Sequence, residues 1–131
     1  MDSRPIGIFD SGIGGLTVCK AINKLLPGEN LIYFGDTARF PYGTRSAETL
    51  IRYARQITSY LLSRNVKMIV IACNTSSAAA LPTLQQENTI PIIGVINAGA
   101  RAACKRVHNN VIGVIGTRAT VSSKSYEKAI H

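Results

Sequence analysis

Short, almost continuously apolar runs punctuate the chain at residues 6–9, 31–34, 68–72, 92–96 and 111–115. A strand with one wet face would alternate apolar and polar positions. Runs without that alternation belong to a parallel sheet covered on both faces. Helical periodicity follows each run and is clearest over residues 46–64. There Ala47, Leu50, Ile51, Ala54, Ile57, Leu61 and Leu62 recur at i, i+3, i+4 spacing, and Glu48, Arg52, Arg55 and Arg64 fall elsewhere. Ser46 is placed to cap that helix. Pro82 falls within the helix expected after Cys73, which predicts a late start or a kink. A last helix is expected near residues 122–130. Strand and helix alternating five times predict an α/β fold, a doubly wound parallel sheet with flanking helices.

In such sheets ligands bind beyond the carboxyl ends of the strands. The residues that follow each run are therefore the ones to read. The first run leads into Asp10-Ser11-Gly12-Ile13-Gly14-Gly15 and the second into Gly35-Asp36-Thr37. A long connection containing Phe40-Pro41-Tyr42-Gly43 comes next. The third run ends in Cys73-Asn74-Thr75-Ser76-Ser77, the fifth in Gly116-Thr117-Arg118-Ala119-Thr120. Several of these groups stand where a helix begins, and free backbone N–H groups there favour a carboxylate or phosphate. Ser, Thr, Asn and Asp are also the ordinary helix caps, so one such turn would mean little. Four such turns, with one connection longer than usual, indicate a site.

Two nucleotide motifs fail on inspection. Gly12 and Gly14 match the start of GxGxxG, but its third glycine position is Thr17. Asp36 is the one acid near a ribose-binding position, and no GK[ST] follows a glycine loop. Cys73 carries the most distinctive chemistry, because a thiol at a strand end beside a helix N-terminus is favoured as thiolate. Cys19 and Cys104 sit inside predicted helices and read as small buried packing residues. His108 and His131 are not placed to pair with Cys73, so proton transfer by the thiol itself fits better than nucleophilic hydrolysis.

The length of 131 residues bounds the chain to one sizeable core. With 46% hydrophobic and 17% charged residues it has the composition of a globular protein, and no run is long enough to span a membrane. Three scattered cysteines form neither a disulfide framework nor a CxxC pair, which predicts a reducing, cytoplasmic setting. The net charge of +8 raises nucleic acid as a partner, but the basic residues are dispersed rather than clustered, which argues against it.

Taken in order, the segments 6–18 (IGIFDSGIGGLTV), 33–43 (YFGDTARFPYG), 70–78 (VIACNTSSA) and 115–122 (IGTRATVS) resemble the glutamate racemase family. That family lies within the cofactor-independent aspartate/glutamate racemase superfamily. The resemblance implies interconversion of L- and D-glutamate, for bacterial peptidoglycan, without pyridoxal phosphate or metal. It implies two cysteines that exchange the Cα proton on opposite faces of the substrate. Cys73 matches the first cysteine. Asp10 and Ser11 match the pair that contacts the substrate ammonium and assists proton transfer. Pro41, Tyr42 and Gly43 match a substrate-binding turn, Asn74 and Thr75 a carboxylate site, and Thr117 and Thr120 further polar contacts.

The second cysteine of the family lies in a GCTHYP-like motif, which these residues do not contain. The expected organisation is an incomplete two-domain racemase: a first α/β domain over 1–97, then the opening helix, strand and helix of a second over 98–131. Two other readings follow from the same residues. One is a non-enzymatic glutamate-binding module, the other a relative acting on aspartate or a hydantoin. A homo-oligomer is left open.

Overall fold

A computed structural model describes residues 2–108 and 111–131. Four parallel strands form one sheet: β1 (Ile6–Asp10), β2 (Leu31–Gly35), β3 (Met68–Ile71) and β4 (Ile92–Gly94). Their order across the sheet is β2-β1-β3-β4. The register sets Phe9 beside Phe34 on one side and beside Ile71 on the other. Helix α1 (Leu16–Leu25) joins β1 to β2, α2 (Ala47–Ser63) joins β2 to β3, and α3 (Asn74–Glu87) joins β3 to β4. Helices α4 (Ile96–Cys104), α5 (Arg118–Ser122) and α6 (Ser125–Ile130) follow.

Both faces of the central strands β1 and β3 are covered, as the continuous apolar runs predict, whereas Ile93 on edge strand β4 is 48% exposed. Successive strand residues point to opposite sides, and two cores result. Phe9, Ile69 and Ile71 pack with Ala54, Ile57 and Leu61 of α2 and with Ala80 and Leu84 of α3. Ile6, Ile8, Val70 and Ala72 pack on the other side with Val18, Cys19 and Ile22 of α1. Ser46 caps α2, its hydroxyl accepting from the Thr49 N–H at 3.2 Å. Leu62 lies at the margin of the helix's apolar face and is exposed.

One expectation fails, and two helices differ in detail from the expected ones. Residues 111–115 form no strand, because a strand exists only where a neighbour exchanges backbone hydrogen bonds with it. None of the four strands pairs with that run, and Ile115 is 98% exposed. Helix α3 begins directly at Asn74 and continues through Pro82, so the proline does not delay it. The last helix, expected near residues 122–130, is α6, and it starts later than expected because Lys124 before it takes a left-handed conformation at φ 55°.

Chain order and sheet order together fix where a ligand would lie. From β1 the chain moves outward to β2, then crosses back over β1 to β3. The strand order reverses between β1 and β3, and at such a switch point the loops diverge and leave a crevice. Asp10 closes β1, and Cys73 stands two residues beyond the end of β3.

Candidate functional site

The loop after β1 is shaped by one carboxylate. Asp10 is buried, and its Oδ2 accepts from the Gly15 N–H at 2.9 Å and the Gly12 N–H at 3.2 Å. The chain wraps so tightly that a Cβ at Gly15 would stand 2.7 Å from the Asp10 Cβ and 2.9 Å from the Ala72 Cβ. Only glycine fits there. Gly12, which matches the start of a nucleotide-binding loop, therefore spends its N–H on the protein's own acid, as does Gly15. Tyr33, on β2, donates its hydroxyl to the Gly12 carbonyl at 2.9 Å and stands 3.5 Å from Asp10 Oδ2. Burial, then the neighbouring Asp10 charge, push the Tyr33 phenol up to about 12.

Across the switch point, Cys73 is the N-cap of α3. Its Sγ accepts from the Ser76 N–H at 3.4 Å, and the Ser77 N–H bonds the Cys73 carbonyl at 2.9 Å. A sulfur in that position faces the positive end of a helix and its unpaired donors. Cys73 is buried, packed with Tyr42 and Leu50. The other two thiols differ. Cys19 is half-buried in α1, and Cys104, expected to be a packing residue, is exposed at the end of α4. Its helix ends there and leaves that face uncovered.

Asp10, Ser11, Cys73, Asn74, Thr75, Thr117 and Thr120 all line one cleft of about 940 Å³. The three threonine hydroxyls join its two sides. Thr75 Oγ1 is 2.8 Å from Thr117 Oγ1, which is 3.0 Å from Thr120 Oγ1. Thr117 also caps α5, accepting from the Thr120 N–H at 3.3 Å. Residues 112–115 of the run expected as a strand line the cleft instead, with Gly116 after them.

Pro41, Tyr42 and Gly43 are set differently. Phe40 lines the cleft, but these three do not. The Phe40–Pro41 peptide is cis. Tyr42 is buried, and its hydroxyl donates to Asp36 Oδ2, which also takes the Arg39 Nε–H at 2.6 Å. Burial, followed by the bond to Asp36, raises the Tyr42 phenol well above its ordinary value. Gly43 lies against Thr117, where a Cβ would approach the threonine Cβ to 2.8 Å. The turn thus supports the cleft from behind, through Cys73 and Thr117. Asp36, at a ribose-binding position by sequence, is committed to Arg39 and Tyr42.

Two residues escaped the sequence reading: Tyr126, which lines the cleft, and Tyr33, which does not line it but bonds the Gly12 carbonyl. Tyr33 lies within a strand, with only the alternation along β2 to point it toward Gly12. Tyr126 lies on α6 and donates its hydroxyl to Asn74 Oδ1 at 2.6 Å. Among the described residues no group of three or more His, Cys, Asp or Glu side chains is placed to hold a metal ion. No helix among them is long and apolar enough to cross a membrane.

With this geometry in hand, similarity to known proteins decides the family. The Asp/Glu/Hydantoin racemase family matches residues 6–131. The chain belongs to that family. A glutamate racemase of Geobacter metallireducens is 56% identical over 130 residues, 99% of this chain and 48% of its own length. The structure of glutamate racemase from Aquifex pyrophilus superposes with a TM-score of 0.94 at 50% identity, covering 97% of this chain and 50% of that one. A glutamate racemase from Francisella tularensis, in complex with D-glutamate, gives 0.91 at 48% identity, covering 100% of this chain and 49% of that one. The chain spans about half the length of the curated family relatives it matches.

Proposed function

We propose that this chain supplies half of a glutamate racemase, with Cys73 as the proton carrier on one face of the substrate. The observation that carries the reading is the placement of Cys73 and Asp10 on either side of the switch point, in one cleft with five further polar residues that the family resemblance selects. In the forward step the Cys73 thiolate takes the Cα proton. An S–H bond forms, the Cα–H bond breaks, and the electron pair delocalises into the substrate carboxylate. Donors already in place beside that carboxylate lower the cost of the charge. Asn74 and Thr75, at the start of α3, are assigned to this role. Asp10 and Ser11 are assigned to the ammonium. A thiol on the opposite face must return a proton to Cα. None of Cys19, Cys73 and Cys104 lies in the motif that would supply it, so that group is assigned to a further segment of the whole protein. The division near residue 97, with α4 opening a second domain, belongs to the same proposal. So do a cytoplasmic location and a role in supplying D-glutamate for peptidoglycan.

Relatives named glutamate racemase at 51–56% identity favour glutamate over aspartate or a hydantoin. Titration of the 15N-labelled chain with D-glutamate, L-glutamate and L-aspartate tests this reading. The amides of Gly12, Gly15 and Ser76 are expected to shift with glutamate at lower concentration than with aspartate. Shifts confined elsewhere, or tighter aspartate binding, would overturn the substrate assignment. Circular dichroism of L-glutamate incubated with the 131-residue chain should show little loss of optical activity.

A further inference from the structure

Asn74 stands at the first position of α3, beside Cys73, and lines the cleft with an exposed side chain. An amide there can present either of two opposite faces, a carbonyl oxygen or two N–H donors, and only the donors suit a carboxylate. The choice depends on what holds the other end. Tyr126 lines the same cleft from α6, and its hydroxyl sits 2.6 Å from Asn74 Oδ1. Burial raises the Tyr126 phenol above its ordinary value, so the oxygen keeps its proton and has one to give. A protonated phenol donating to Oδ1 leaves the Nδ2 group as the free end, and among the described residues that group has no hydrogen-bond partner. Helix α6 is itself anchored, packing chiefly against α4.

We propose that Tyr126 is a positioning residue that locks the Asn74 amide with its Nδ2–H donors turned to the substrate carboxylate. This rests on the glutamate reading for its ligand, though not for the orientation itself. Without the phenol, the amide can rotate and offer its oxygen, which repels a carboxylate. Selectivity for an anionic group at this end of the cleft would then depend on Tyr126 acting through Asn74.

The test uses Tyr126→Phe, which keeps the ring and removes only the hydroxyl. In the ligand-free chain the Asn74 side-chain NH2 resonance pair, assigned by its absence in Asn74→Ala, is expected to shift and broaden in Tyr126→Phe. Affinity for D-glutamate should fall about tenfold in Tyr126→Phe, and the same substitution made in Asn74→Ala should change it by less than about twofold. An unmoved Asn74 pair, or an equal loss of affinity in both backgrounds, would overturn the proposal. Should the wild-type chain fail to bind glutamate, the substrate reading falls alone, because the Asn74 resonances still decide the orientation.

Discussion

Two buried carboxylates stand at neighbouring strand ends, Asp10 after β1 and Asp36 after β2, at 6% and 5% exposure. Their backbones are bonded to each other, the Asp36 N–H donating to the Asp10 carbonyl at 2.9 Å. Their side chains are held by opposite means. Asp10 is satisfied chiefly by backbone N–H groups of its own loop, and it still lines the cleft. Asp36 is enclosed by Arg39 and Tyr42, whose rings and cations continue into Tyr53: the Arg39 guanidinium lies 4.1 Å from that ring's centre. The two are equally buried, but the backbone nest leaves Asp10 on the wall of the cleft, whereas side-chain partners keep Asp36 away from it. Under the proposed function the first arrangement would serve chemistry, while the second supports the turn packed behind Cys73.

Charge-removing substitutions sharpen that comparison most. Asp10→Asn should slow Cα proton exchange from glutamate by about a hundredfold, while urea denaturation shows a loss of only about 1 kcal/mol. Asp36→Asn should do the reverse, costing about 2 kcal/mol through the broken pairing with Arg39 and affecting exchange less than stability. Equal behaviour of the two variants would erase the distinction. Gly15→Ala should come next, at about 1–3 kcal/mol, because the added carbon meets Asp10 and Ala72 inside contact distance. Thermal unfolding measures it, and Gly28→Ala, with nothing within 4 Å of its Cβ, is the control.

The smallest effect concerns pH. The Tyr33 phenol beside Asp10 is held at about 12 against an ordinary 10.0. The folded state therefore binds this proton more tightly than the unfolded one. The stabilisation is complete below pH 10.0 and is lost as pH rises through about 12. Urea midpoints should fall more steeply with alkalinity in the wild type than in Tyr33→Phe. Parallel slopes would show that the hydroxyl is not protected.

Much of this arrangement is legible in the residues. The apolar runs at 6–9 and 69–71 have no wet face, and each packs against helices on both sides. Asp10, Cys73, Asn74 and Thr75 follow from reading the strand ends of a parallel sheet, where both caps and ligands gather. What the residues hide is which polar group turns inward. Tyr42 is in the substrate-binding turn by motif, yet its hydroxyl is consumed by Asp36, six residues earlier, and no local pattern names that partner. Residues 111–115 have a strand's composition, but pairing is a property of the neighbours and not of the run. Tyr126 acts across 52 positions of sequence on Asn74, and no periodicity signals a contact of that range.

The central claim is that Cys73 moves the Cα proton of glutamate on one face only in this chain. The most direct measurement incubates the chain with each enantiomer in D2O and follows Cα deuteration by NMR. The expected result is deuterium in one enantiomer without conversion to the other, reduced at least about a hundredfold in Cys73→Ala. Exchange that survives Cys73→Ala, or its absence in both enantiomers while glutamate is bound, would contradict the account.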